Sequence, residues 1–154
     1  MFSEKWHCRF MDLADMIASW SKDPSTKNGA VIVGPDREIR ATGYNGLVRG
    51  VDDNKPERNE RPTKYDFYEH AERNAIYNAC LTGTSVKGCV IYVTMFPCTD
   101  CARAIIQSGI RLVVTREVII DENSPANTWR DKLMYSQEMF KEAGVEYLLL
   151  PPKK

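Results

Sequence analysis

Two runs, Cys89–Met95 (Cys-Val-Ile-Tyr-Val-Thr-Met) and Leu112–Thr115 (Leu-Val-Val-Thr), carry apolar side chains on both alternating faces. Strands of that kind must be covered on both sides, which a sheet sandwiched between helices provides and a half-solvated sheet does not. After each run comes a helical pattern closed by glycine: Thr99–Ser108 by Gly109, and Thr128–Ala143 by Gly144. A final strand, Val145–Leu150, stops at Pro151-Pro152. This alternation of strand and helix predicts parallel pairing in the second half of the chain.

The first half reads differently. Trp6, Phe10, Leu13, Ala14, Ile17 and Trp20 recur every three or four residues, which makes Trp6–Trp20 an amphipathic helix. Ser21-Lys22-Asp23-Pro24 ends it, since the residue before proline disfavours helix. Ala30–Val33 and Glu38–Thr42 flank the turn signal Gly34-Pro35-Asp36 and predict an antiparallel hairpin. A further helix is predicted over His70–Leu81. The order is α-β-β-α-β-α-β-α-β: an α/β chain with helices on both faces of a mixed sheet. With 154 residues, at ~100–200 per domain, residues 1–154 are expected to form a single domain. A long irregular stretch at 47–68 is expected to be functional or mobile.

Charge and cysteine usage narrow the function classes. The 21 basic and 21 acidic residues give a formal net charge of 0, which argues against a nucleic-acid partner. No apolar stretch approaches the ~18 residues of a membrane span, so no membrane partner is expected. The start, Met1–Cys8, lacks the apolar core of a secretory signal. Five cysteines, an odd number, do not suggest a disulfide framework. A reducing, cytoplasmic setting follows, with the thiols open to metal.

Two motifs carry chemistry. His70-Ala71-Glu72 and Pro97-Cys98-Thr99-Asp100-Cys101 lie 28 residues apart, each at the start of a predicted helix. Cys98 and Cys101 share one side of a first helical turn, where unpaired N–H groups favour thiolates. Two sulfurs and one imidazole suit zinc, and three protein ligands leave a fourth position for water. Glu72 is two residues from His70, a spacing that does not share a helix face. Its expected role is proton transfer beside the metal. A Cys-x-x-Cys pair alone also fits a structural or redox motif. Cys80 lies roughly 15 Å along the helix from His70, and Cys89 about 20 Å away down its strand. Both read as core thiols. His7 and Cys8 stay open as extra ligands.

The sequence resembles the cytidine deaminase superfamily and, within it, the deoxycytidylate (dCMP) deaminases, over about Cys8 to Pro151. Beyond the two motifs, the likeness rests on Ser21-Lys22-Asp23-Pro24, Lys27-Asn28-Gly29-Ala30 and Gly43-Tyr44-Asn45-Gly46. It also rests on His70 to Ile76, on Phe96-Pro97-Cys98 and on Ile105 to Ile110. The resemblance implies a three-layer α/β/α sandwich around a five-stranded mixed sheet. It implies hydrolysis of dCMP to dUMP and ammonia, a precursor step for dTTP synthesis, with one catalytic Zn²⁺ on His70, Cys98 and Cys101. Glu72 would carry the proton from water to ring N3 and help protonate the departing amine. The Ala71 N–H would hold the pyrimidine carbonyl, the Phe96 carbonyl would lie near the leaving amine, and Asn45 would hold the sugar. Ser21 and Lys22 would also bind substrate. No second, structural zinc is expected, because the chain has only two histidines.

Regulation and assembly follow from the same resemblance: a homo-oligomer, expected to be a hexamer, activated by dCTP and inhibited by dTTP. The loops with Lys27, Asn28, Gly29, Gly46 and Arg49 combine cations, amide donors and glycines suited to a triphosphate, with Mg²⁺ as a possible companion. A tRNA adenosine deaminase shares both motifs but must hold a polyanion, which zero net charge disfavours. Free-nucleobase deaminases need no phosphate pocket, whereas Lys22, Lys27, Arg49, Arg58 and Arg61 lie in loops near the expected site. A zinc-stabilised interaction module would keep Cys-x-x-Cys with no reason for Glu72.

Overall fold

The computed structural model describes residues 2–117 and 128–153. Along the chain run α1 (Glu4–Ala18), β1 (Gly29–Val33), β2 (Ile39–Tyr44), β3 (Gly46–Leu47), α2 (Lys64–Phe67) and β4 (Tyr68–Glu69). Then follow α3 (Ala71–Leu81), β5 (Val90–Val93), α4 (Thr99–Gln107), β6 (Leu112–Arg116), α5 (Thr128–Ala143) and β7 (Glu146–Leu150). The main sheet has five strands in the order β2-β1-β5-β6-β7. β1 is antiparallel to both β2 and β5, and β5, β6 and β7 are parallel. The predicted hairpin and the parallel second half are both present.

Side-chain alternation divides the core in two. Val31, Val33, Val90, Tyr92, Leu112 and Val114 face α1 through Phe10, Met11, Ala14 and Ile17. Ala30, Ile32, Ile91, Val93 and Val113 face the opposite layer, built from α3, α4 and α5. The sandwich therefore has α1 on one side and three helices on the other. Opposite faces of the sheet also separate His7 from His70. His7 is buried and its Nδ1 meets the Tyr92 hydroxyl at 2.9 Å, while Cys8 is exposed. Neither joins the motif residues.

α3 lies close against the hairpin because its inner stripe is alanine: Ala71, Ala75 and Ala79 are all buried. Gly43 of β2 completes the fit. A Cβ there would come 2.6 Å from the Ala71 carbonyl oxygen and 2.8 Å from the Asn74 carbonyl carbon, both rigid backbone. Two side chains of α3 reach back to the edge strand: Asn74 Nδ2 donates to the Tyr44 carbonyl and Asn78 Nδ2 to the Thr42 carbonyl, each at 2.8 Å. Cys80 follows Ala79 by one residue, about 100° around the helix, and is exposed. It is not the core thiol that its sequence neighbours suggest. Cys89 is buried as expected.

The stretch 47–68 is not featureless. Its base is clasped by the two-stranded β3–β4 sheet, in which Gly46 pairs with Glu69 and Leu47 with Tyr68. It also holds a 3₁₀ turn at Pro56–Asn59 and the short α2. These pieces carry no periodicity because each is only a few residues long. Gly43→Ala is expected to lower the unfolding free energy by about 1–3 kcal/mol, the usual cost of overpacking a filled interface. Urea denaturation should show an earlier midpoint at unchanged slope; a wild-type midpoint would contradict the close approach of α3.

Candidate active site and metal centre

Two helices begin side by side and deliver the motif residues. His70 is the N-cap of α3 and Cys98 the N-cap of α4, both with extended backbone angles and neither spending its side chain on a cap hydrogen bond. The imidazole and the thiol are thus free to ligate. Cys101, in the first turn of α4, is buried. His70 Nδ1 lies 3.5 Å from Cys98 Sγ and 3.5 Å from Cys101 Sγ. The three ligand atoms all lie within 4.8 Å of one another. Among the described residues no other group of three such donors exists. The donor set is soft and borderline, of the kind that takes zinc.

Electrostatics agree with a cation-ready site. Cys98 is pulled down to about 3 by hydrogen bonds from Cys101 and His70. Cys101 is pushed up by its bond to Cys98 and by burial. His70 is raised, first by its hydrogen bond with Cys98. A dication held by these residues would favour the thiolate form of both cysteines. Glu72 is only 7% exposed, and burial lifts its carboxyl above the usual range.

Charged side chains brace the two helix starts. Glu69 accepts the His70 backbone N–H at 3.0 Å and pairs with Arg73 at 2.5 Å. Arg73 reaches Asp100 of α4 at 3.7 Å, and Asp100 pairs with Arg103. Sequence reasoning missed Glu69, Arg73 and Asp100, although all three sit beside or within the motifs.

The cleft over this cluster is lined by His70, Glu72, Phe96 and Cys98 among others. Its wall is a polar knot. Lys64 Nζ donates to both Asp23 oxygens, at 3.0 and 3.1 Å, and to Ser25 Oγ at 2.7 Å. Asn45 Nδ2 donates to Asp23 at 3.3 Å and to the Thr26 carbonyl at 2.8 Å, while its Oδ1 accepts the Asn28 N–H at 2.7 Å. Despite burial, Asp23 is held below the usual carboxylate range by the Ser25 N–H and by Lys64. Lys64 and Asp23 join the 47–68 stretch to the loop after α1, a contact between segments 41 residues apart that no local pattern reveals.

A family model described as the cytidine and deoxycytidylate deaminase zinc-binding region matches residues 4–117. The chain belongs to this family. An uncharacterized deaminase from the luxG 3′ region of Aliivibrio fischeri is 46% identical over 147 residues, covering 96% of this chain and 95% of that protein. Human deoxycytidylate deaminase is 38% identical over 154 residues, covering 97% of this chain and 82% of that protein. The crystal structure of apo dCMP deaminase from cyanophage S-TIM5 superposes with a TM-score of 0.73 at 25% identity, covering 97% of this chain and all of that one.

The other residues expected at the site of this deaminase scatter. Asn45 and Phe96 line the cleft, and Ala71, buried, opens α3 between His70 and Glu72. Ser21 is buried, with its hydroxyl donating to the Asn45 carbonyl at 2.7 Å, so it shapes the loop rather than lining the cleft. Lys22 is drawn outward by Asp53 at 2.6 Å and faces a neighbouring cleft with Tyr44, Gly46 and Tyr68. The five residues expected for an effector are not brought together. Asn28 lines the catalytic cleft, Gly29 is buried beneath α1, and Lys27 is exposed. Gly46 and Arg49 share a third cleft, where Arg49 donates to Asn78 Oδ1 at 2.8 Å.

Metal analysis of the purified chain is expected to give one zinc per chain. Cys101→Ser should cut zinc affinity by at least the ~10–100-fold typical of losing a supporting contact, whereas Cys8→Ser and Cys80→Ser should keep full occupancy. Zinc lost with Cys8→Ser would contradict the three-residue donor set.

Proposed function

We propose that this deaminase hydrolyses dCMP to dUMP and ammonia, with Glu72 as the proton carrier and His70, Cys98 and Cys101 as the zinc ligands. The observation that carries the reading is the buried Glu72 carboxyl in the same cleft as two of the three donors. The 38% identity to human deoxycytidylate deaminase supports the choice of substrate. Zinc, when bound, lowers the pKa of a water ligand towards neutrality.

The chain's own residues supply the rest. Glu72 takes a proton from water at a carboxylate oxygen and delivers it to pyrimidine N3 as the water oxygen bonds C4; it then moves the proton of the new C4 hydroxyl to the amine, which leaves as ammonia as the C4–N bond breaks. Burial raises its pKa, the direction that suits a carboxyl that must hold a proton before passing it on. The Ala71 N–H, in the unpaired first turn of α3, donates to the pyrimidine carbonyl. The Phe96 carbonyl accepts from the exocyclic amine. Asn45 has one Oδ1 lone pair left after its contact with Asn28, and that lone pair accepts a sugar hydroxyl.

Residues 1–154 act as one deaminase domain in this reading. The free thiols Cys98 and Cys101 suit a reducing, cytoplasmic setting. Exposed Trp20, Tyr77 and Leu81 support assembly into a homo-oligomer, a hexamer by analogy with the family. dCTP activates and dTTP inhibits through the cleft of Gly46 and Arg49, which touches α3 at Asn78 and so reaches the helix that carries Glu72.

Glu72→Gln is expected to lower kcat on dCMP by ~10²–10⁴-fold with zinc retained. Ammonia release over a panel of dCMP, CMP, deoxycytidine and guanine checks the assignment. Turnover of guanine but not dCMP, or a Glu72→Gln loss under about threefold, would overturn it.

A further inference from the structure

We propose that Arg61 recognises the substrate's 5′-phosphate and so sets the preference for a nucleoside 5′-monophosphate over the nucleoside; this rests on the reading of the cleft as a nucleotide deaminase site. Five loop cations are candidates from the sequence, and the structure sorts them. Lys22 is neutralised by Asp53 in the neighbouring cleft. Arg49 lies in the third cleft, bonded to Asn78. Arg58 donates to the Asp52 carbonyl at 2.8 Å and stacks over Phe67. Lys27 lines none of the clefts described. Arg61 alone of the five lines the cleft that holds His70 and Glu72.

Its neighbours in that cleft are already committed. Lys64 spends all three ammonium donors on Asp23 and Ser25. The Glu69 carboxylate is matched by Arg73. Among the described residues no carboxylate pairs with Arg61, whose guanidinium lies 5.9 Å from the Tyr65 ring centroid. The cleft therefore carries one uncompensated side-chain cation, and a phosphate dianion is the group that a planar fork of N–H donors matches.

Arg61 is exposed, but its segment is not loosely held. Three residues on, Lys64 is buried in the ion pair with Asp23, with both side chains below 10% exposure. Just beyond, β4 is paired to β3. The guanidinium is thus an exposed part of the cleft lining, carried on a backbone fixed on its C-terminal side. The pyrimidine goes to buried Glu72 beside the metal ligands, which leaves the exposed part of the lining, where Arg61 stands, for the far end of the nucleotide. A charged partner at that place acts on binding, not on the proton transfer at Glu72.

Arg61→Ala and Arg61→Lys in the full zinc-loaded chain test this, with dCMP and deoxycytidine as substrates. Titration calorimetry with dUMP and deoxyuridine gives a second readout. Arg61→Ala is expected to lower kcat/KM on dCMP by about tenfold to a hundredfold, mainly through KM, the range for hydrogen bonds to a charged group. Deoxycytidine turnover and deoxyuridine affinity should stay within about twofold of wild type, and dUMP affinity should fall in step with dCMP. Arg61→Lys should recover part of the loss. Raising the salt should weaken dCMP binding more in wild type than in Arg61→Ala. A loss on dCMP under about threefold, or parallel losses on both substrates, would overturn the assignment to Arg61. A wild-type chain that does not turn over dCMP would instead overturn the function on which it rests.

Discussion

The starts of α3 and α4 meet at their N-cap side chains, His70 and Cys98, 3.5 Å apart, and the site is organised around that meeting. Each helix leaves its first-turn donors without intrahelical partners, and each carries the positive end of a backbone dipole there. The positive helix end favours a thiolate there, and Cys98 is held low, while burial works the other way on Cys101 and Glu72. His70 and Cys98 occupy the two N-cap positions without capping, so their side chains turn toward one another instead. The chain Glu69–Arg73–Asp100 then ties the helix starts together across the gap. The alanine stripe of α3 and the bare Cα of Gly43 seat α3 close on the sheet, and that depth buries Glu72.

A second constraint shapes the entrance. Asp23 is a hub: it accepts from Lys64, from Asn45 and from the backbone and side chain of Ser25. Taking two opposite charges out of water is costly unless every lone pair and proton finds a partner, and here they do. Removing Lys64 alone would leave a buried carboxylate without its cation, which is why one lysine inside an otherwise solvated stretch holds the cleft wall in shape. The same pair holds the 47–68 stretch against the cleft of His70 and Cys98, which Arg61 also lines.

Much of this was legible in the sequence because it is local. The apolar runs at Cys89–Met95 and Leu112–Thr115 demanded cover on both faces, and the structure supplies it with α1 on one side and α3, α4 and α5 on the other. His70 and the Cys98/Cys101 pair were readable because helix-start chemistry leaves short motifs. Long-range polar pairing left no such trace. Lys64 looks like any surface lysine, and only its encounter with Asp23, 41 residues away, marks it as structural. Lys22 stands beside Asp23 in the sequence yet turns outward to Asp53, so adjacency to a motif did not predict a place in the cleft. Cys80 was misplaced because apolar neighbours do not say which side of a helix a thiol takes.

X-ray absorption at the zinc edge of the purified chain tests the central claim most directly. The account predicts two sulfur scatterers at about 2.3 Å and two lighter scatterers at about 2.0–2.1 Å, one of them imidazole and the other exchangeable, as expected for three protein ligands and an open position. Four protein ligands with no exchangeable position, or a sulfur count other than two, would contradict it.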